Sequence, residues 1–183
     1  MTQCIYLIGS LRNPDIPKIA NNIRQACGVE VFDDWFAAGP IADDSWQEYE
    51  KQKGISYDKA LSGYAAKHVF DFDLHHLDRS SAAILVLPAG KSGHLELGYM
   101  RGAGKRCYVL FDKEPERWDV MYQFANGGVF FDIDELIGAI NANILSGTHE
   151  GNSKFQLPGV QFSSGISEIP RGRSIQSGGT GQH

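Results

Sequence analysis

A chain of 183 residues, 42% hydrophobic and 21% charged, is long enough for one domain with a sizeable core and has the balance of an ordinary globular protein. Its formal net charge of -5 argues against the basic face that a nucleic-acid polymer requires, while leaving free nucleosides and nucleotides open as ligands. No apolar stretch is long enough to span a membrane, and the opening MTQCIYLIGS lacks the basic start of a secretory leader. A cytoplasmic protein with reduced thiols is therefore expected, since Cys4, Cys27 and Cys107 are odd in number and widely spaced.

In chain order, CIYLIG (4–9) reads as a buried strand. A helix over 15–27 follows, with Asp15 as candidate N-cap, Pro17 near its first turn, and Ile16, Ile19, Ala20, Ile23 and Cys27 at helical spacing. VEVFD (29–33) is a second strand, and residues 34–45 read as a loop. Residues 46–68 carry a helical pattern that Gly54 and Gly63 interrupt, and residues 70–80 form a short helix. AAILVLP (82–88) is continuously apolar, as in a parallel strand buried on both faces. The pattern then predicts a helix near 94–103, a strand over 106–111, a helix near 116–125, a strand over 128–132 and an amphipathic helix over 133–144. Alternating strands and helices predict an α/β three-layer sandwich with right-handed crossovers, occupying residues 1–145. From 146 to 183, 15 of 38 residues are Gly or Ser, which reads as a flexible tail with one apolar island, FQLPGVQF (155–162).

Two familiar signatures fail. GKS at 90–92 lacks the glycine that a P-loop carries five residues earlier, where Leu85 stands. GSLRNPD after the first strand has no G-x-G-x-x-G. His68, His75, His76 and His94 show no metal-ligand spacing and read as solvated or hydrogen-bonded, so neither metal nor cofactor is expected.

In open α/β sheets, ligands bind beyond the carboxyl ends of the strands. Gly9 and Ser10 follow the first strand, and Gly90, Ser92 and Gly93 follow the strand over 82–88. Gly90 and Gly93 would allow close approach of a ligand, while Gly98 would let the helix pack tightly on the sheet. Glu96, expected in the first turn of the helix near 94–103, has two readings. It either improves the helix start or serves as a nucleophile kept ionised by the helix dipole. Asp73 is either a solvated acid of an amphipathic turn or a functional one, and Tyr6 is either a core aromatic or part of a site. Trp35, Phe36 and Trp46 either stack on a base or cover a sheet edge or a subunit contact.

IYLIGS (5–10), followed by DLHHLDRSSAAILVLPAGKSGHLELGYMRGAGKRCYVLF (73–111), resembles the nucleoside 2-deoxyribosyltransferase family, together with the related deoxynucleoside monophosphate N-glycosidases. The resemblance runs over roughly residues 4 to 144 in the order of elements. It implies a flavodoxin-like, Rossmann-like fold with a mainly parallel five-stranded sheet. It also implies that Glu96 attacks the anomeric carbon, that Asp73 contacts the base and assists proton transfer, and that Tyr6 positions the nucleophile. A homo-oligomer is implied too, with Asn126 or Tyr122 as a contribution from a neighbouring subunit. Six residues before the nucleophile, the transferases tend to carry an acid and the monophosphate hydrolases a serine; here stands Gly90, with Lys91 or Ser92 as substitutes. Asp119 falls near another phosphate-contacting serine of the hydrolases, and a carboxylate there would repel phosphate.

The expected reaction is cleavage of the N-glycosidic bond of a 2′-deoxyribonucleoside, with transfer of the sugar to a free nucleobase. Hydrolysis of a deoxynucleotide or an NAD-like substrate is the alternative enzyme. A non-catalytic nucleotide-binding or interaction protein is the alternative outside catalysis.

Overall fold

The structure, a computed structural model, describes residues 3–146. The strands are β1 (Cys4–Ile8), β2 (Glu30–Phe32), β3 (Ala82–Val86), β4 (Arg106–Leu110) and β5 (Gly128–Phe130). The helices are α1 (Ile16–Cys27), α2 (Ala42–Gln52), α3 (Tyr57–Leu61), α4 (Tyr64–Arg79), α5 (Lys91–Gly102) and α6 (Ile133–Ser146), with 3₁₀ turns at Asp34–Ala38 and Val120–Phe124. The strands pair in parallel in the order β2-β1-β3-β4-β5. This is the flavodoxin-like order, and it places the topological switch point, where such folds open their ligand crevice, between β1 and β3.

The continuously apolar β1 and β3 are buried along their whole length because both faces of the sheet are covered. Side chains alternate between two cores. On one face Ile5, Leu7, Ile84 and Val86 pack with Ile16 and Ile23 of α1 and Leu136 and Ile140 of α6. On the other, Tyr6, Ile8, Leu85 and Val109 pack with Leu77 of α4 and Leu97 and Met100 of α5. Each fully buried aliphatic side chain of this kind contributes about 1.5–3 kcal/mol.

α4 is anchored at one end only. Leu77 enters the core. Lys105 Nζ donates to the carbonyl oxygens of Leu77 and Asp78 at 2.6 and 2.8 Å, satisfying the last turn as a cation should. Tyr99 on α5 donates to Asp78 at 2.5 Å, and Arg79 pairs with Glu30 at 2.7 Å. Tyr64, Val69 and Phe70, in the first half of the helix, are exposed.

Several boundaries differ from the sequence reading. α2 begins at Ala42, inside the expected loop, and its first turn carries Asp43 and Asp44, which suit the positive end of a helix. α4 runs unbroken over Tyr64–Arg79, joining the end of the 46–68 pattern to the helix expected over 70–80. α5 begins at Lys91 rather than 94. The helix expected near 116–125 is only a short 3₁₀ turn whose Asp119 accepts from Met121 N–H. Asp15 stands at the N-cap of α1, yet its side chain makes no capping bond. Gly54 and Gly63 do fall at the helix breaks, Gly54 with a φ of 70°. The expected tail lies outside the described residues from 147 onward. Cys4 and Cys107 are buried and Cys27 partly so, and all three are free thiols.

Candidate functional site

The switch point between β1 and β3 is flanked by the turn after β1, with Gly9 and Ser10, and by the turn after β3, which leads through Gly90 into α5. Three polar side chains meet beside it, on the α4–α5 face of the sheet. Tyr6 is 1% exposed, so its hydroxyl needs an internal partner, and it donates to Asp73 Oδ1 at 3.2 Å. Glu96, on α5, is partly buried and close enough to both to act on them through its charge.

The electrostatics of the group follow from burial. Glu96 is pushed up to about 7, first by loss of water and then by the negative charge of Asp73. Burial also raises Asp73, against the lowering effect of the Tyr6 hydrogen bond. The Tyr6 phenol is raised by burial, then by the charges of Asp73 and Glu96, and remains a hydrogen-bond donor. Two carboxyl groups that resist ionisation, near enough for the charge of one to raise the other, can divide between them the roles of proton donor and anion.

This corrects the expectation for Glu96. It is the sixth residue of α5, so it stands in the second turn, where the effect of the helix N-terminus has fallen away. Burial and a neighbouring acid dominate, and the carboxyl is less readily ionised than usual, not more. The Tyr6 hydroxyl is likewise given to Asp73 rather than to Glu96.

The glycines also exchange roles. A Cβ on Gly93 would lie 3.0 Å from Ile8 Cγ2 and 3.2 Å from Leu85 Cδ1, so Gly93 is what lets α5 press onto β1 and β3. Gly98, expected to pack on the sheet, faces open space. Gly90 is exposed at the N-cap of α5, with Ser92 beside it also exposed. Gly9 is filled against the protein itself, because a Cβ there would lie 2.4 Å from Ile16 Cδ1 and 3.4 Å from Trp35. Ser10 Oγ accepts from Arg12 N–H at 3.2 Å.

Trp35 serves the sheet edge. β2 stops opposite Tyr6, so the next carbonyl of β1 has no strand partner on that side, and Trp35 Nε1 donates to Leu7 O at 2.8 Å. Phe36 lies edge-on to Trp35 with ring centroids 5.9 Å apart and packs on the α1–α6 core. Trp46 is partly buried on α2, its indole N–H without a partner among the described residues. Asn126 stands at the opposite, amino end of β4, where its side chain accepts from Cys107 N–H at 2.9 Å; it is not brought to the Tyr6–Asp73–Glu96 group. Among the described residues no three potential metal ligands gather.

One feature escaped the sequence reading. His94 Nδ1 lies 2.9 Å from Gly90 O and Nε2 lies 3.0 Å from Tyr122 Oη. With the carbonyl as acceptor, Nδ1 donates and Nε2 accepts from the tyrosine. The ring thus ties the glycine turn to the 3₁₀ turn at Val120–Phe124, and Tyr122 itself rests against Phe111 with centroids 5.2 Å apart. The four-residue spacing from Gly90 to His94 was visible, but its partner 28 residues on was not.

No protein-family model matches the sequence, and a search of the curated proteins found no match. Among solved structures, the chain is similar to a 2-deoxyribosyltransferase from the psychrotolerant bacterium Bacillus psychrosaccharolyticus, with 18% sequence identity, a TM-score of 0.49, and coverage of 73% of this chain and 90% of that one.

Proposed function

We propose that this chain is an enzyme of the nucleoside 2-deoxyribosyltransferase type, which cleaves the N-glycosidic bond of a 2′-deoxyribonucleoside and passes the sugar to another nucleobase. The observation that carries this reading is the meeting of Tyr6, Asp73 and Glu96 beside the switch point, with the two acids raised by burial.

The chemistry divides between the acids. Reaction requires the one proton of the pair on Asp73 and Glu96 as the carboxylate, the reverse of the resting arrangement in which an ionised Asp73 raises Glu96. A Glu96 oxygen bonds to the anomeric carbon as the bond to the base nitrogen breaks. The bonding pair leaves with the base, and Asp73 delivers its proton there. Tyr6 holds Asp73 in place through the 3.2 Å hydrogen bond. A second base then attacks the same carbon, frees Glu96 and returns a proton to Asp73. Two displacements restore the original anomeric configuration.

Unphosphorylated substrates suit this site best. Gly90 offers no hydroxyl to a phosphate, and Asp119, close enough to raise the Tyr122 phenol, adds negative charge to the 3₁₀ turn that His94 ties to the glycine turn. Deoxynucleosides should show a higher kcat/KM than their 5′-monophosphates; the reverse preference would mean that Lys91, Ser92 or another subunit supplies an anion site.

The decisive test is the covalent intermediate. With a slow 2-fluoro-substituted nucleoside analogue, intact-protein mass spectrometry should show a sugar adduct, and peptide mapping should place it on residues 89–101. Glu96→Ala should abolish turnover while leaving the fold intact. Near-native turnover in that variant, or an adduct elsewhere, overturns the mechanism. Sugar release that is equal with and without an acceptor base would make the enzyme a hydrolase.

A further inference from the structure

Away from the Tyr6–Asp73–Glu96 group, α2, α3 and the start of α4 enclose a cleft of about 360 Å³. That volume lies within the range of small-molecule sites, roughly 300–1,000 Å³. Asp73 is nine residues beyond Tyr64 on α4, about 13 Å along the axis at 1.5 Å per residue, so the cleft is a separate place.

Its lining is mostly apolar and aromatic, but its charges are specific. Glu50 is 8% exposed, and a buried carboxylate needs a cation. Lys53 supplies it, with Nζ 3.1 Å from Glu50 Oε2, and the same ammonium lies 4.8 Å from the centre of the Tyr49 ring. These two charges cancel, and Lys53 is held on two sides. Lys59, on α3, also lines the cleft, and its ammonium makes no hydrogen bond or ion pair among the described residues. One cation is therefore left over in a wall otherwise made of Tyr49, Tyr64 and small aliphatic side chains. Tyr64 is 87% exposed, stacked on His68 with centroids 6.0 Å apart, and presents its other face.

We propose that this cleft is a second binding site, for a small organic anion with a flat apolar body, whose charge pairs with Lys59 and whose body lies among Tyr49, Tyr64 and the aliphatic floor. An aromatic carboxylate or aryl phosphate has this chemistry. A cation is disfavoured by Lys59, and a neutral aromatic would leave that ammonium unpaired.

The probes are 1-naphthoate, 1-naphthyl phosphate, 1-naphthylmethanol and 1-naphthylmethylamine, titrated into the methyl-labelled full chain and followed by NMR. The two anions should shift the methyls of Ile55, Ala60 and Ala65 saturably. Lys59→Glu, an exposed change that spares the fold, should weaken the anions tenfold or more, as expected for loss of one charge-assisted contact. Tyr64→Ala should weaken them too, while Asp73→Asn leaves them unchanged. The site does not exist as described if the shifts fall on other methyls or fail to saturate. Equal binding of the alcohol and the carboxylate, or no effect of Lys59→Glu, would also overturn it.

Discussion

Glu96 carries its pH dependence in its surroundings. With the carboxyl pushed up to about 7, the nucleophilic anion forms only as pH rises through that value, so with a leaving group that needs no proton kcat/KM should climb across neutrality. Ordinary substrates, which need the one proton of the pair on Asp73, should instead lose rate on the alkaline side. Asp73→Asn removes one of the two causes of the shift, and with a leaving group that needs no proton the rising limb should move to lower pH. A limb that stays in place would mean that another group titrates. For ordinary substrates the same variant should lose about 10²–10⁴-fold in turnover, the usual worth of general-acid assistance. Stability follows the opposite sign. A carboxyl whose folded pKa exceeds its unfolded one stabilises the native state at low pH, and that contribution is lost as pH rises from the ordinary carboxylate range through about 7. Glu96→Gln should therefore melt higher than the parent at pH 8 and alike at pH 4. At this scale the residues alone left Tyr6, Asp73 and Glu96 each with a bland alternative, and only the family resemblance grouped them. Their joint burial lies in the packing of α4 and α5 on β1, which no local pattern records.

Among the elements, α5 depends most on a single position. Gly93→Val would force carbon atoms against Ile8 and Leu85 and should cost about 1–3 kcal/mol, as overpacking does. Gly98→Ala, in open space on the same helix, should gain about 0.5–1 kcal/mol from helix propensity. Urea unfolding of the two variants separates these outcomes; equal effects would mean that Gly93 is not the contact residue. Trp35→Phe leaves Leu7 O unpaired at the end of β1 and should cost about 1–3 kcal/mol. The strands were legible because burial on both faces writes itself as an unbroken apolar run. The start of α2 and the continuity of α4 were not. Asp43 and Asp44 resemble loop residues until they are seen in a first turn, and the exposed Val69 and Phe70 give no apolar face to join the helical segments on either side of them.

At the scale of the molecule, the described residues leave much large apolar surface in water. Val69 and Phe70 on α4 are more than half exposed, and Trp118, Val120 and Met121 beside Tyr122 range from 58 to 79% exposed. Such surface marks a contact, and a second copy of this chain is the partner proposed. Sedimentation should find an oligomer, and Phe70→Asp or Trp118→Asp should drive it toward the monomer. A parent that sediments as a monomer at working concentration sinks this. The α/β class and parallel sheet were readable from alternation of elements, whereas the strand order, and with it the switch point, needed the paired register.

The one-ended anchoring of α4 sets a gradient of local opening along that helix. Amides near Leu77, under the Lys105 clamp, open only with the whole domain, whereas those over residues 66–71 can fray with little loss of buried surface. Asp73 stands where the firm half begins. Hydrogen exchange should be fast before it and slow after it, and a ligand that grips Asp73 should move that boundary toward Tyr64, slowing exchange in residues it never touches.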